Sequence, residues 1–374
     1  MRLDRSRALV VGGGIGGMAA ALALARAGAQ VTLHERAEAF GDVGAGLQVS
    51  ANGQAALRSL GLCGDGPPAG AVLSEGTAIR APSGRTVARV PPPRSGATWY
   101  IHRADLLSLL TEAATAAGVD MRMSSAVRPG SATAGAADLL VAADGGLSDW
   151  RGAIDARVRA QFTGQVAWRA LLPGRGEARA PAVLAMGPGA HVVSYPLRDG
   201  SLRNLVAVEE RRDFTGEGWR QKGDPEVFRR RFARFGAVLG HDLGALREVH
   251  LWGLHLRPVA ARWQDGKRAA LLGDAAHPTL PFLAQGANLA LEDAVILGRA
   301  LDLAGTIPEA LARYEAARRP RAEAVVRLAR GNAWRFHLRP PLSWGAQAVL
   351  AVGGGLLARG LERVYAYDPS EAPI

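Results

Sequence analysis

A glycine-rich turn near the N-terminus constrains the fold of this chain more than any other feature. Residues 12–17 read GGGIGG, which satisfies the pattern G-x-G-x-x-G, and they follow the apolar run ALVV at residues 8–11. The Ala- and Leu-rich residues 18–27 predict a helix, and VTLHE after them predicts a second strand. The order strand, glycine turn, helix, strand predicts a βαβ unit that binds a dinucleotide.

The glycines of this turn have separate predicted roles. Gly12 allows a tight turn, Gly14 lets the backbone approach a pyrophosphate, and Gly17 lets the helix pack closely on the strand. Glu35 ends the second strand, where a carboxylate can accept hydrogen bonds from ribose hydroxyls. On this turn alone, NAD and FAD are equally good ligands. The residues predicted to contact the dinucleotide here are Gly12, Gly14, Ile15, Gly17, Glu35 and Arg36.

A second segment, GDAAHPTLPFLAQGANLALEDA over residues 273–294, favours FAD. Asp274 follows a buried strand, at the carboxyl edge where open α/β sheets bind their ligands. Gly286 permits a close approach, and a helix that starts within residues 286–288 directs its positive N-terminus at the flavin edge that becomes negative on reduction. Two distant glycine-bearing turns are therefore expected to bind opposite ends of one flavin nucleotide.

Length and composition limit the number of domains, the class of partner and the expected cellular location. The chain has 374 residues, which is enough for two domains, and a formal net charge of +11. The basic residues are scattered and interrupted by acidic ones, which argues against nucleic acid as a partner. Cys63 is the single cysteine, so no internal disulfide can form, and we expect a reducing, cytoplasmic location.

No uninterrupted apolar segment has the length of a membrane span. The nearest, residues 342–358, contains Gly345 and a run of glycines at 353–355, and it predicts a packed helix followed by a turn. The apolar N-terminal stretch is broken by the glycine turn, so a signal peptide is rejected. We predict no integral membrane segment and no metal site.

The middle of the chain follows a different plan. Residues 77–90 alternate around a Ser-Gly turn and predict a hairpin, and residues 159–260 contain strand-like pieces separated by turns. Residues 225–236 predict one helix within them. Such a pattern is typical of an antiparallel sheet, whereas the last 70 or so residues are mostly helical in pattern.

Five motifs occur in the order found in a known family. They are the 12–17 turn with its strand-end acid, GAGLQVSAN at 44–52, HRADLL at 102–107, ADGGLSDWR at 143–151, and the 273–288 segment. In these motifs the chain resembles the single-component FAD-dependent aromatic hydroxylases, in particular the salicylate hydroxylase-like branch. The resemblance covers nearly the whole chain. It implies FAD contacts from Gln48, Arg103, Asp144, Asp274, Gly286, Ala287 and Asn288.

The resemblance also implies a fold. We expect an α/β protein in which an FAD-binding, Rossmann-like domain of glutathione-reductase type is interleaved with an antiparallel-sheet substrate domain. The expected segments are 1–70, 98–158 and 262–320 for the FAD-binding domain, 71–97 and 159–261 for the substrate domain, and 321–374 for C-terminal helices. Residues 119–138 are shorter than is usual in the family, so a hairpin at the domain edge is expected to be missing or reduced.

Three residues are candidates for the substrate pocket. In relatives that act on hydroxylated aromatic acids, a His and a Tyr four residues apart line the ring pocket, and His191 and Tyr195 match that spacing. On a strand both point to one side. His191 would deprotonate or orient a phenol with a pKa near working pH, and Tyr195 would hydrogen-bond the substrate. Pro281 stands where some branches carry a substrate-contacting Gln, and it favours the salicylate-type pocket floor.

Other residues near these motifs have plainer interpretations. His191 and Tyr195 are alternatively ordinary sheet residues. His277 is expected to belong to the loop scaffold. Trp168 and Arg169 either line the site or pack in the core. Two further acidic residues, Glu292 and Asp293, are interpreted as carboxylates that stabilise a helix start.

The implied reaction is an aromatic hydroxylation. NADH or NADPH, docking transiently, reduces FAD, and O₂ then forms a flavin C4a-hydroperoxide that transfers OH to a small, electron-rich aromatic substrate. The enzyme is expected to be a monomer or homodimer. The alternatives are a monooxygenase or epoxidase for a larger secondary-metabolite or quinone-type ring, and an FAD-binding NADH oxidase that does not oxygenate.

Overall fold

The computed structural model describes residues 6–41, 45–156, 158–214, 216 and 221–374. The strands are β1 (Arg7–Val11), β2 (Gln30–His34), β3 (Gly46–Val49), β4 (Val72–Arg80), β5 (Thr86–Val90), β6 (Trp99–His102), β7 (Asp120–Arg122), β8 (Leu139–Ala142), β9 (Gln161–Pro173), β10 (Arg179–Gly187), β11 (Ala190–Leu197), β12 (Leu202–Glu210), β13 (Gln221–Gly223), β14 (Val249–Leu256) and β15 (Ala269–Leu271). The helices are α1 (Ile15–Arg26), α2 (Ala51–Ser59), α3 (Arg103–Ala116), α4 (Ala132–Gly135), α5 (Arg151–Ile154), α6 (Pro225–Arg231), α7 (Gly236–Leu239), α8 (Gly286–Leu303), α9 (Ile307–Arg335) and α10 (Leu342–Tyr365). Short 3₁₀ turns lie at Ala233–Phe235, Gly240–Ala245 and Gly273–Ala275.

The first sheet is parallel, with the strand order β15-β8-β1-β2-β7. Its central strands are continuous apolar runs because α1 and α8 pack beside them, and buried side chains such as Val10, Met18 and Leu297 share one core. The predicted βαβ unit is confirmed in β1, α1 and β2. The carboxyl ends of β1, β8 and β15 therefore meet at one edge.

The second sheet has the order β13-β14-β9-β12-β11-β10-β4-β6-β3, and β5 pairs with β4. Its pairs are antiparallel except for β4 with β10, which are parallel. The hairpin predicted at 77–90 is confirmed as β4 and β5. Strands β3 and β6 come from segments assigned above to the FAD-binding domain and extend this sheet, so the domain boundaries stay a prediction.

The two faces of the second sheet have different neighbours. Val192 and Trp168 pack with the aromatic residues Phe228 and Phe232 of α6 and its extension. Because side chains alternate along a strand, His191, next to Val192, points the other way, toward the first domain. The site is therefore expected between this inner face and the parallel sheet.

The C-terminal segment is helical, as predicted, but α10 runs without a break from Leu342 to Tyr365. The turn predicted at residues 353–355 was wrong. A glycine weakens a helix by about 1 kcal/mol, which by itself does not end it, and α10 packs against β5. None of the helices in the described part of the chain is long and apolar enough to cross a membrane. In residues 119–138, all of which are described, β7 leads to α4 without a hairpin.

Candidate active site

The glycine turn between β1 and α1 has two positions without room for a side chain and one position with room for it. A Cβ on Gly12, whose φ is +102°, would lie 2.4 Å from the Ala143 carbonyl oxygen, and one on Gly17 would lie 1.9 Å from the Gly12 carbonyl oxygen. A Cβ on Gly14 would meet no atom within 4 Å. Packing within the protein therefore requires glycine at positions 12 and 17. Gly14 instead faces open space, in which a pyrophosphate can come close to the protein backbone.

The start of α1 is suited to an anion. Its N-cap residue Gly14 provides no side-chain cap, and its first turn, which begins at Ile15, contains no acidic residue. The Glu35 carboxylate accepts hydrogen bonds from the backbone N–H groups of Gly13 (2.7 Å) and Ala37 (2.9 Å). These bonds fix a carboxylate beside the turn and leave further lone pairs for hydroxyl donors.

Charged side chains line the space next to this turn. The Asp274 side chain is solvent-exposed, yet burial by surrounding protein raises its pKa, against the opposing effects of His277 and Arg103. Burial likewise lowers the pKa of Arg103, with Asp274 acting against it. The opposite charges of Arg103 and Asp274 therefore act on each other, and the partly open space that they border is here termed the Arg103–Asp274 cleft.

Two more predicted residues, Asp144 and Arg36, follow strands β8 and β2 at the carboxyl edge of the parallel sheet. The Asp144 Oδ2 accepts from the Asp149 N–H at 3.0 Å, while its buried Oδ1 has no hydrogen-bond partner among the described residues. Burial raises the pKa of Asp144. Arg36 is exposed at the end of β2. An acceptor left without a partner, together with the open Gly14 position and the Arg103–Asp274 cleft, fits an extended dinucleotide such as FAD.

Helix α8 begins at Gly286, at the expected start, and its first turn contains no acidic residue. Its N-terminal positions are Gly286, Ala287 and Asn288. The Asn288 side chain donates to the Gln48 carbonyl (2.9 Å) and accepts from the Ser50 N–H (3.1 Å). Asn288 and Gln48 therefore join α8 to the segment before α2, and the backbone N–H groups of α8 remain for a ligand. Gly44, at the start of the GAGLQVSAN motif, lies outside the described residues.

The interpretation of Glu292 and Asp293 as helix-start carboxylates was wrong. Both are completely buried within α8, beyond its first turn. Glu292 is paired with Arg318 and Arg321 of α9, each at 2.7 Å, and accepts from the Asn52 amide at 2.6 Å. These arginines were not recognised in the sequence.

Asp293 connects the same network to the loop that carries Asp274. It accepts from the Arg318 Nε at 2.7 Å, from the Gly273 N–H at 3.0 Å and from the His277 Nε2 at 2.6 Å. His277 is fully buried and has the scaffold position expected of it. The network therefore fixes the 273–277 turn, and with it Asp274, against α8 and α9.

The Asp293 carboxylate makes the free energy of unfolding depend on pH in the acid range. Burial alone raises its pKa, but His277 and Arg318 outweigh burial and bring it to about 2. A depressed pKa stabilises the fold above the unfolded-state value of about 3.9, and this contribution is lost as pH falls toward about 2. We expect unfolding free energy to fall by about 2–3 kcal/mol over that window.

The matching measurement is chemical denaturation at several pH values between 5 and 2. The free energy of unfolding of Asp293→Asn should fall less steeply with decreasing pH than that of the wild-type protein, whatever the stability of the variant at pH 5. The exposed Asp65→Asn is the control and should keep the wild-type slope. Equal slopes for Asp293→Asn and wild type would contradict the assignment.

The inner face of the second sheet brings together the predicted substrate residues. His191 and Tyr195 project from the same side of β11. Strand β12 pairs with both β11 and β9, and its register places the Arg169 side chain of β9 on that same side. The His191 ring lies 5.5 Å from the Phe282 ring and 5.1 Å from the Phe336 ring, between centroids. Tyr195 packs on Tyr100 at 4.8 Å. This face is thus covered by the loop that follows Asp274.

The expectation that the pKa of His191 lies near working pH was wrong. Burial, and after it the neighbouring His337, lowers the pKa of His191 well below its ordinary value. His337 was missed because it lies 146 residues along the chain, in the turn after α9, where no local pattern marks it. Burial raises the pKa of Tyr195, so its hydroxyl stays protonated and available as a donor.

The structure separates the two residues of the Trp168-Arg169 pair. Trp168 faces the outer core and donates to the Glu209 carboxylate at 3.0 Å. Arg169 is half-buried on the inner face, 5.4 Å above the Trp252 ring. Burial, then Arg103, lowers the pKa of Arg169 to about 10, with Tyr195 opposing, so it is a cation at neutral pH.

Pro281 is exposed, while its neighbours Leu280 and Phe282 are buried against the inner face. The loop therefore presents apolar side chains to the sheet. Among the described residues, no group of three or more His, Cys, Asp or Glu is placed to hold a metal ion.

Comparison with known proteins agrees with this geometry. A family model described as an FAD binding domain matches residues 5–329. A 3-amino-4-hydroxybenzoate 2-monooxygenase of Streptomyces platensis is 36% identical over 358 residues, covering 90% of this chain and 89% of its own. A 3-hydroxybenzoate 6-hydroxylase of Klebsiella oxytoca is 36% identical over 349 residues, 86% of each. The structure of a salicylate hydroxylase substrate complex matches with a TM-score of 0.79 at 25% identity, over 99% of both chains.

These matches span the glycine turn, the Arg103–Asp274 cleft and the inner sheet face alike. The relatives are covered nearly end to end, and the interleaved two-sheet fold is the one that the salicylate hydroxylase shares. The chain belongs to the FAD-binding family of aromatic hydroxylases, in its salicylate hydroxylase-like group, and is an FAD-dependent monooxygenase.

Proposed function

We propose that this monooxygenase hydroxylates a small phenolic aromatic acid of hydroxybenzoate type, consuming NADH or NADPH and O₂. One observation carries the proposal: a cation, Arg169, shares the inner sheet face with His191 and Tyr195. A guanidinium suits a carboxylate, and an imidazole with a hydroxyl suits a phenol. The names of the relatives, which include a 3-hydroxybenzoate 6-hydroxylase, support the same substrate class.

Each of the three side chains has a proposed role. Arg169 pairs with the substrate carboxylate, Tyr195 donates a hydrogen bond to a substrate oxygen, and His191 contacts the phenol oxygen. Leu280 and Phe282, buried against the same face, exclude water from the ring. When bound, FAD supplies the electron transfer and oxygen activation that amino-acid side chains lack.

The nicotinamide nucleotide is proposed to dock transiently. The sequence carries one G-x-G-x-x-G turn, and the proposed FAD contacts occupy it. A positive net charge of +11 favours the approach of an anionic dinucleotide and of an anionic substrate.

The test is a comparison of ligands on the purified yellow protein. We expect a hydroxybenzoate to stimulate NAD(P)H consumption with a kcat/KM about 10- to 100-fold above that of the matching phenol without a carboxylate, since a charge-assisted hydrogen bond contributes about 1.5–3 kcal/mol. Hydroxylated product should account for most of the NAD(P)H used. Release of H₂O₂ with every ligand would instead indicate an oxidase, and a preference for large neutral rings would indicate the secondary-metabolite alternative.

Replacing His191 should separate chemistry from cofactor binding. His191→Ala is expected to retain FAD but to lose most coupled turnover, about 100-fold or more, because it removes the proton-transfer group next to the phenol. The ratio of hydroxylated product to H₂O₂ is the measurement, with bound FAD absorbance as the check on folding. His255→Ala, at the outer face of the same sheet where His255 packs on Phe162, is the control. Unchanged coupling in His191→Ala would remove His191 from the mechanism.

A further inference from the structure

A line of polar side chains connects His191 with the surface. The His191 Nδ1 lies 2.8 Å from the His337 Nε2, and both residues are buried, with 2% and 3% exposure. The His337 Nδ1 lies 3.6 Å from the Glu210 Oε1, and the Glu210 side chain is 41% exposed. Two imidazoles and a carboxylate thus span the distance from the inner sheet face to solvent.

The hydrogen bonds around His337 assign its tautomer. The Gln165 Nε2 donates to the Ala333 carbonyl at 2.9 Å, which fixes the orientation of the amide, and the same nitrogen lies 3.2 Å from the His337 Nδ1. The His337 Nδ1 therefore accepts, and its Nε2–H donates to the His191 Nδ1. His191 then carries its proton on Nε2, which makes it a donor toward a substrate oxygen.

This arrangement is the one expected after a phenol has lost its proton. An Nε2–H on His191 stabilises a phenolate but cannot accept a proton from a phenol. To accept one, His191 must carry its proton on Nδ1 and donate it to His337. The pair therefore has two tautomeric arrangements, which differ by the shift of one proton along each link.

We propose that His337 and Glu210 relay the phenol proton of the substrate from His191 to solvent. The relay rests on the proposed function, since it needs a phenol at His191. The substrate O–H bond breaks as its proton bonds to the His191 Nε2. The proton on the His191 Nδ1 passes to the His337 Nε2, and the one on the His337 Nδ1 passes to the Glu210 carboxylate, which releases it to water. The phenolate keeps the electron pair, and no oxidant or reductant is involved.

The surroundings suit transfer rather than storage of a proton. Burial lowers the pKa of His337 to about 4, with Glu210 opposing and Arg234 reinforcing the effect. Phe282 and Phe336, which pack on His191, are apolar. Neither imidazole holds a second proton at neutral pH, so a lone His191 would be a poor base, whereas a pair that passes the proton onward avoids a stable imidazolium.

Glu210 is placed to receive the proton. Its Oε2 accepts from the exposed Arg339 at 2.8 Å, which leaves Oε1 directed at the His337 ring. The Glu210 side chain is 41% exposed, so its carboxylate can exchange a proton with water. Arg339 and Arg234 are the cations on this side of His337, and Glu210 is the carboxylate.

The test uses the holoenzyme and a hydroxybenzoate that the wild type hydroxylates. His337→Gln keeps a donor for the His191 Nδ1 but cannot pass a proton on. We expect unchanged FAD content, a KM within about 3-fold and a kcat about 10- to 100-fold lower at pH 7. The deficit should shrink at higher pH, as the phenol ionises without help. His255→Gln is the matched control and should behave as wild type, because His255 packs on Phe162 at the outer face of the same sheet.

Two further variants distinguish relay from packing. His337→Ala leaves space for imidazole, and added imidazole should restore part of kcat, whereas an equal concentration of salt should not. Glu210→Gln, near the surface, should lower kcat several-fold with the same shift in pH profile. Loss of kcat without imidazole rescue and with an unchanged pH profile would overturn the relay, as would wild-type kinetics in His337→Gln. If the wild type hydroxylates no phenolic acid, the proposed function fails and the relay with it.

Discussion

Gly14→Val yields a folded protein that is colourless and stays colourless when FAD is added. A Cβ at Gly14 meets no protein atom within 4 Å, and its φ of −73° suits any residue, so the fold tolerates the change. The branched side chain instead fills the space through which a pyrophosphate reaches the α1 N-terminus. Loss of two charge-assisted hydrogen bonds, each about 1.5–3 kcal/mol, lowers FAD affinity more than about 100-fold.

The measurements are the visible absorbance of purified protein, the Kd for FAD by fluorescence quenching, and Tm without FAD. Gly64→Val is the control, because its Cβ position is equally open but lies on the exposed surface after α2. Gly17→Val gives the contrasting result, since its Cβ meets the Gly12 carbonyl at 1.9 Å and the apoprotein itself is destabilised. A yellow Gly14→Val protein with wild-type affinity would contradict the proposed cofactor position.

The features predicted correctly from sequence are those encoded locally. A glycine turn between an apolar strand and an Ala-rich helix is specified within about thirty residues, as is the hairpin of β4 and β5. The common face of His191 and Tyr195 needs only the two-residue period of a strand. Each of these features is determined by residues close together in the sequence, so it can be predicted without knowing the tertiary structure.

The features missed depend on distant partners. Arg318 and Arg319 are adjacent in one helix, yet Arg318 is completely buried against Glu292 and Asp293 while Arg319 is 41% exposed. No local pattern separates them. The pKa of His191 likewise depends on burial and on His337, which only the tertiary structure brings together. Electrostatics inside the site are therefore the part that the sequence specifies least.

Replacing Arg318 is expected to cause the largest loss of stability. Arg318→Met leaves Glu292 and Asp293 buried with one cation fewer, and removing one partner of a buried ion pair costs about 3–5 kcal/mol. Tm should fall by about 4–6 °C, because the entropy of unfolding of a chain this long is about 0.8 kcal/mol/K. Because Asp293 also holds the Gly273 turn, the Kd for FAD should rise in the same variant.

The neighbouring residue provides the control. Arg319→Met removes an exposed guanidinium that donates to the Ala261 carbonyl and lies 3.9 Å from the Glu315 carboxylate, and exposed contacts of this kind contribute about 1 kcal/mol. Adding Glu292→Gln and Asp293→Asn to Arg318→Met should recover much of the lost stability, since the uncompensated charges are gone. Equal Tm values for Arg318→Met and Arg319→Met would show that the buried network does not support the fold. A Tm loss without any change in FAD affinity would show that it supports the fold but not the position of Asp274.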